Sequence, residues 1–189
     1  MKRMKNNIVQ ENKLLTPIEA YYRSFSRKQF TKSPSDSDVL MDVFSIDTDL
    51  KNKNKQYWGR ELGTLWELIV IQTFIDHPDY VEKPLWNGQS PCDFFIGDLA
   101  IDPKYRIGSG DSGTLKGWAN DGDDLKARGF KPIMLILRED NLPAAIRRIS
   151  THWDIKIGDD AFNFIERYTG FDLKDFLISI KGDYNIKTE

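Results

Sequence analysis

The chain has 189 residues, of which 40% are hydrophobic and 30% are charged, a composition typical of a soluble globular protein with a single core. One cysteine, Cys92, excludes a disulfide framework and a cysteine-rich zinc site. The net charge is −2, but residues 1–60 hold 12 Lys and Arg against 7 Asp and Glu, so a basic first third precedes an acidic body. This asymmetry predicts that contact with a polyanion depends on the N-terminal segment, although solvated surface segments also vary in charge.

The expected localisation is cytoplasmic. No apolar run approaches the ~20 residues that span a bilayer, so no membrane contact is expected. The basic residues 1–7 are not followed by the apolar core of a signal peptide.

The N-terminal third is predicted to contain helix and loop. Thr16-Pro17-Ile18-Glu19 has the pattern of a capping box with proline at the first helical position, which predicts a helix over 17–30. Residues 31–38 have loop composition. Residues 51–55 alternate lysine with asparagine and are predicted to be a solvated, mobile loop, with phosphate contact as the alternative.

The strongest helix is predicted over 59–76. Its apolar residues cover most of its circumference, which is typical of a helix packed inside a fold. At ~100° per residue, Glu67 falls on the same side as Val70 and Phe74. A carboxylate in that position is costly unless it meets a cation or hydrogen-bond donors.

The remaining residues alternate between strands and helices. The predicted elements are a strand (80–86), a turn at Asn87-Gly88, hairpin strands (93–97 and 99–105) joined at Gly97-Asp98, a helix (114–128), a buried strand (132–137), a helix (142–150), a strand (153–157) and two C-terminal helices (159–168 and 172–181). The hairpin supplies antiparallel pairing and the helical crossovers supply parallel pairing. We therefore expect an α/β fold with a mixed sheet flanked by helices.

The chemistry-bearing pattern lies on the predicted hairpin. Strand alternation puts Asp102 and Lys104 on one face, and Asp93 reaches the same edge if Gly97-Asp98 makes a tight turn. Two carboxylates hold a hard divalent cation, and an adjacent ammonium serves a water or a phosphate. The pattern therefore predicts metal-dependent phosphodiester hydrolysis, with Glu67 as a third acid. The alternative is a strand-end aspartate and a surface lysine that meet by chance.

These residues resemble the PD-(D/E)xK nuclease superfamily, whose restriction-endonuclease-like core has the same αβββαβ succession of elements. The resemblance implies that Asp93, Asp102 and Glu67 ligate Mg²⁺, for which Mn²⁺ can substitute. It also implies that Lys104 positions or activates the attacking water. The carbonyl of Pro103 is a further candidate oxygen ligand.

A narrower resemblance covers roughly residues 90–165. The run DPKYRIGSGDSGT at 102–114, followed by PIMLILR at 132–138 and DNLP at 140–143, is similar to the ApaLI-like type II restriction endonucleases. Cys92 stands where a proline usually precedes the first aspartate, in a slot that is loose across the superfamily. Residues 1–56 add nothing to the resemblance, and the target sequence does not carry over.

Together these resemblances imply a Mg²⁺-dependent endonuclease that cuts double-stranded DNA and leaves 5′-phosphate and 3′-hydroxyl ends. Residues 57–189 would form the nuclease domain, and residues 1–56 would contact DNA or support dimerisation. Cutting both strands of a palindrome needs two active sites related by a two-fold axis, so a homodimer is expected.

The glycine-serine run at 108–114 is a candidate loop for approaching DNA phosphates, with a flexible strand-to-helix connection and its cap as the alternative. The candidate DNA contacts are Arg106, Ser109, Ser112, Thr114 and Lys116, and Arg147 and Arg148 are further candidates for reading bases. Two other functions stay open. The chain is either the cleavage subunit of a heterodimeric, nicking, repair or transposition nuclease, or a non-catalytic DNA- or protein-binding α/β domain.

Overall fold

The computed structural model describes residues 2–26, 37–83, 85–86, 88–108 and 111–186, with side chains from residue 10 onward. The chain forms two compact units. A helical unit comprises Met1–Thr73 and Ile165–Glu189, and a sheet unit comprises Phe74–Phe164. This division does not coincide with the predicted boundary after residue 56.

The helical unit packs around an aromatic core. Phe25 meets Phe44 and Trp58 edge to face, with ring centroids 4.8 and 4.9 Å apart. All three rings are fully buried or nearly so. The helices that contribute to this unit are α1 (Lys2–Phe25), α2 (Val39–Val43), α3 (Thr48–Lys53), α4 (Lys55–Phe74), the end of α7 (Asp159–Thr169) and α8 (Leu173–Ser179).

The first helix corrects one prediction. It begins at Lys2 rather than at residue 17, and Pro17 lies inside it. Leu14 and Ile18 are both fully buried one helical turn apart, so the apolar face continues through the proline. Packing of this face offsets a penalty of about 3 kcal/mol for an interior proline. Residues 27–36, where the end of the predicted helix and most of the predicted loop fall, lie outside the described residues.

The lysine-asparagine run corrects a second prediction. It belongs to the end of α3 and the start of α4, and both Lys51 and Asn52 are buried. The Lys51 ammonium lies 3.8 Å from Asp38 Oδ2 and 3.2 Å from the Met41 sulfur. The run consists of polar residues, so its composition predicted exposed side chains. The acid beside Lys51 is Asp38, which lies outside the run.

The sheet unit contains a five-stranded mixed sheet in the order β1-β2-β3-β4-β5. Its first three strands pair antiparallel, and β3, β4 and β5 pair parallel. This confirms the predicted α/β class and mixed sheet, with helices against the strands. The elements are β1 (Tyr80–Glu82), β2 (Phe94–Ile96), β3 (Leu99–Lys104), α5 (Ser112–Ala127), β4 (Lys131–Ile136), α6 (Pro143–Ile149) and β5 (Asp154–Ile157).

One face of the sheet packs against α5 and α6. The buried apolar cluster on this face takes residues from all of these layers: Cys92, Phe95, Ala100, Ile107, Leu115, Leu125, Met134, Ile136, Ala145, Ile149 and Trp153. A Cβ at Gly122 would lie 2.8 Å from the His152 carbonyl and from Trp153 Nε1. Glycine therefore allows the close approach of α5, although it weakens the helix by about 1 kcal/mol relative to alanine.

The turn of the predicted hairpin follows its local sequence closely. Gly97 has φ +57° in the two-residue turn between β2 and β3, as the hairpin prediction requires. The strand predicted over 80–86 ends at Glu82, and Trp86 instead pairs with Gln89 across a turn.

None of the helices in the described ranges combines the length and the apolar character needed to cross a membrane.

Candidate active site

The pairing of the first three strands aligns three charged residues in one row. Phe94 pairs with Ile101, and Asp93 N donates to Ile101 O at 3.0 Å, so the next step of the register places Asp93 opposite Asp102. Glu82 pairs with Phe94, so the same extension places Lys83 opposite Asp93. Residues opposite one another in adjacent strands project from the same face. Lys83, Asp93 and Asp102 therefore form a cross-strand row.

Lys104 lies beside this row, two residues after Asp102 on β3. Its ammonium donates to Asp102 Oδ1 at 2.6 Å and lies 3.9 Å from Asp93 Oδ2. Lys83 Nζ donates to Asp93 Oδ1 at 2.9 Å. The two carboxylates are buried, whereas the side chains of Lys104 and Lys83 are 26% and 53% exposed. The carboxylates therefore form the buried part of the site, and the ammonium groups lie nearer to solvent.

One buried carboxylate oxygen has no N–H donor at hydrogen-bond distance among the described residues. Asp93 Oδ2 lies 3.9 Å from the Lys104 ammonium, and a protonated Asp102 donates to the Asp93 carboxylate. Burial of a carboxylate oxygen without an N–H donor is costly, and a divalent cation would satisfy it with an oxygen–metal contact. Among the described residues, no three or more His, Cys, Asp and Glu side chains gather as a metal site. Mg²⁺ commonly binds one or two carboxylates and completes its shell with water and phosphate, so Asp93 and Asp102 fit this ion.

The proton affinities of the site reflect its burial. Burial raises the pKa of Asp102 to about 7, Lys104 opposes the shift, and the neighbouring Asp93 carboxylate adds to it. Burial, with Asp102 and Asp93 as smaller causes, raises the pKa of Cys92 to about 12. Cys92 is therefore a protonated thiol at neutral pH. A cation beside the two carboxylates would favour their charged forms.

The places of two further predicted metal ligands in the site stay predictions. Pro103 is buried and pairs with Leu135 of β4, and the role of its carbonyl stays a prediction. Glu67 is half-buried on α4, within the helical unit. Its partial burial agrees with the predicted apolar neighbourhood, and its place in the metal site stays a prediction.

Two charged residues near the site escaped the sequence interpretation. Lys83 lies in the predicted strand 80–86, but only the register of β1 against β2 shows that it faces Asp93. Asp121 lies on α5, where burial and Asp124 raise its pKa while Lys104 lowers it, so its carboxylate lies within electrostatic reach of Lys104. In the sequence, Asp121 precedes Gly122, the glycine at which α5 is closely approached, and this position could have identified it.

The predicted DNA contacts take varied positions. Arg106 follows Lys104 by two residues and is exposed. Ser112, Thr114 and Lys116 are exposed in the first turns of α5. Asp111 caps this helix and accepts from Thr114 N and Oγ1, both at 2.9 Å, so Thr114 has a capping contact. Ser109 lies outside the described residues. Arg147 and Arg148 are exposed in the last turn of α6.

The chain was compared with protein families, with curated proteins and with solved structures. Neither a protein family, nor a curated protein, nor a solved structure matches the chain.

Proposed function

We propose that the chain is a Mg²⁺-dependent DNA endonuclease of the type II restriction kind, with its active site in the sheet unit. The observation that carries this proposal is the pair of buried carboxylates Asp93 and Asp102, with the Lys104 ammonium 2.6 Å from Asp102 Oδ1 and 3.9 Å from Asp93 Oδ2. Two adjacent buried carboxylates suit a divalent cation. The lysine supplies the second feature that phosphodiester hydrolysis needs, a positive donor next to the reacting phosphate.

The charges of the site favour a phosphate once the cation is present. Asp93 and Asp102 balance Lys83 and Lys104 in number, so a bound divalent cation gives the cluster a net positive charge. When bound, Mg²⁺ would neutralise charge on the phosphate and acidify water. Asp93 and Asp102 would hold it through carboxylate oxygens.

Lys104 has the central role among the side chains. Asp102 Oδ1 fixes its ammonium at 2.6 Å, which limits the orientations of the side chain. From this position Lys104 orients the attacking water and stabilises the negative charge that develops on the phosphoryl oxygens. Lys83 neutralises Asp93 at the more exposed edge of the site.

Digestion of a sequenced plasmid with and without Mg²⁺, followed by run-off sequencing of the ends, tests this function. We expect Mg²⁺-dependent cleavage at one recurrent sequence, with 5′-phosphate ends, and much weaker cleavage by Asp102→Asn. Cleavage that both Asp102→Asn and Lys104→Ala retain at the wild-type rate would show that the assigned site is wrong.

The assembly and the alternative functions can be separated in parallel. A restriction enzyme that cuts a palindrome is expected to be a homodimer, so sizing chromatography with a cognate duplex should show two copies per duplex. A monomer that nicks one strand would favour a nicking, repair or transposition nuclease or a subunit of a heterodimer. Mg²⁺-independent DNA binding without any cleavage would favour the non-catalytic α/β domain.

A further inference from the structure

Two arginines meet on one aspartate just beyond the C-terminal ends of β3 and β4. Arg138 Nε donates to Asp140 Oδ1 at 2.6 Å. Arg106 Nε lies 2.9 Å from Asp140 Oδ2 and donates to the Asp140 carbonyl at 2.9 Å. The Arg138 side chain is only 3% exposed, whereas that of Arg106 is 42% exposed. Asp140 therefore connects a buried guanidinium to one that faces solvent.

The backbone beneath this cluster is fixed by bonds between two segments. Leu137 N donates to the Lys104 carbonyl at 3.0 Å, and Leu142 N donates to the Ile107 carbonyl at 2.8 Å. Ile107 N donates in turn to Asn141 Oδ1 at 2.7 Å. These bonds hold the segment that carries Arg106 against the segment that carries Asp140. The hydrogen bonds between these two segments therefore fix where Arg106 lies relative to Lys104.

The Arg106 guanidinium lies against Gly108. A Cβ on Gly108 would lie 2.5 Å from Arg106 Nη1, which is closer than real contacts allow, and 3.3 Å from Cζ. The guanidinium thus lies directly over the glycine. Any larger residue at position 108 would move the end of the Arg106 side chain, which is flexible, while the backbone stays in place.

Arg106, Arg138 and Asp140 together contribute two positive charges and one negative charge. Within the described part of the chain, the contacts of Arg106 with Asp140 use Nε, one of the five N–H donors of a guanidinium. The planar fork of the Nη groups matches the oxygens of a phosphate.

We propose that Asp140 and Gly108 are positioning residues, which hold Arg106 as a clamp for a DNA backbone phosphate beside the phosphate cleaved at Lys104. This inference rests on the proposed function. Arg106 would touch the DNA, and the other two residues would act through it. Arg138, buried behind Asp140, places a second positive charge beside the aspartate.

Binding of a fluorescent DNA duplex without Mg²⁺, measured by anisotropy, tests the clamp. We expect Arg106→Ala to weaken binding about tenfold, the effect of losing one charge-assisted contact. Gly108→Ala should weaken binding several-fold with no change of charge. Asp140→Asn should also weaken it several-fold, although the loss of a negative charge would by itself strengthen contact with DNA. Gly108→Ala in an Arg106→Ala background should have no further effect.

Two matched variants serve as controls. Asp98→Asn removes an acid at the other end of β3, where Asp98 pairs with Lys131, and it should leave affinity unchanged or slightly higher. Gly117→Ala adds a methyl group to α5 where nothing lies within 4 Å, and it should leave affinity unchanged. Thermal melting of every variant reports its folding. Gly108→Ala keeps the test valid even if Asp140→Asn fails to fold.

The outcomes separate the clamp from the nuclease. Unchanged or tighter binding by Asp140→Asn, or equal losses from Gly108→Ala with and without Arg106, would overturn the clamp while DNA cleavage stands. Absence of both DNA binding and cleavage in the wild type would overturn the proposed function and the clamp together.

Discussion

Two clusters in the described part of the chain place largely buried carboxylates beside lysines, and they are built differently. In the helical unit, the Lys51 ammonium lies 3.8 Å from Asp38 Oδ2, and the two side chains are only 8% and 10% exposed. Asp38 Oδ1 also caps α2 by accepting from Leu40 N and Met41 N, both at 3.1 Å. In the sheet unit, Asp93 and Asp102 lie side by side, their lysines are more exposed, and Asp93 Oδ2 has no N–H donor at hydrogen-bond distance among the described residues.

The difference distinguishes a structural ion pair from a candidate reaction centre. The acid of the first cluster uses its oxygens for helix capping and for the ion pair, so the cluster stabilises the fold. The second cluster places like charges together and leaves an oxygen without an N–H donor, which costs stability unless a ligand binds. A carboxyl whose pKa is raised by burial and by a neighbouring carboxylate is typical of functional sites.

The largest expected effect is on cleavage. Lys104→Ala should lower the plasmid cleavage rate about 100- to 1,000-fold, because it removes the donor that stabilises charge in the transition state. The matched control is Lys131→Ala, which removes a lysine paired with Asp98 at the other end of the sheet unit's parallel strands. A similar loss of rate in both variants would show that the effect of Lys104→Ala is not specific to the cluster in the sheet unit.

The second effect is on stability. Lys51→Ala should lower the free energy of unfolding in urea by about 3 kcal/mol, because it removes the Lys51 cation from beside the largely buried Asp38 carboxylate. The exposed Lys55→Ala should change it by less than about 0.5 kcal/mol. If Lys51→Ala is as stable as Lys55→Ala, then the first cluster is not a structural pair.

The third effect is on the pH dependence of stability without divalent ions. The unfolded chain loses the Asp102 proton near its usual pKa of 3.8, whereas the folded chain loses it near 7. Folding therefore takes up a proton between these values, and Asp102 makes stability fall as pH rises through this window. Asp102→Asn should flatten the urea-unfolding profile by up to about 1.4 kcal/mol per pH unit. An unchanged profile would show that Asp102 carries no such proton.

The sequence predicts most of the candidate site because its determinants are local. Strand alternation places Asp102 and Lys104 on one face, and the two-residue turn at Gly97-Asp98 fixes Asp93 against Asp102. The site itself could therefore be proposed from twelve consecutive residues, 93–104. Elements with strong periodicity or length, such as α4 and β4, are predicted for the same reason.

Features that depend on distant residues escape this kind of prediction. The contact of Arg106 with Asp140 spans 34 positions and requires the parallel pairing of β3 with β4. Lys83 needs the register of β1, which no tight turn sets. The N-terminal helix runs through Pro17 because the burial of its apolar face outweighs a local capping signal.

The most direct test of the central claim is the rate of supercoiled plasmid cleavage as a function of Mg²⁺ concentration, for the wild type and Asp93→Asn. We predict saturable cleavage by the wild type and at least about 100-fold slower cleavage by the variant, because the Asp93 carboxylate is lost as a charged ligand. Cleavage by Asp93→Asn with the wild-type rate and Mg²⁺ dependence would contradict the account, as would a wild type that cuts no DNA at any Mg²⁺ concentration.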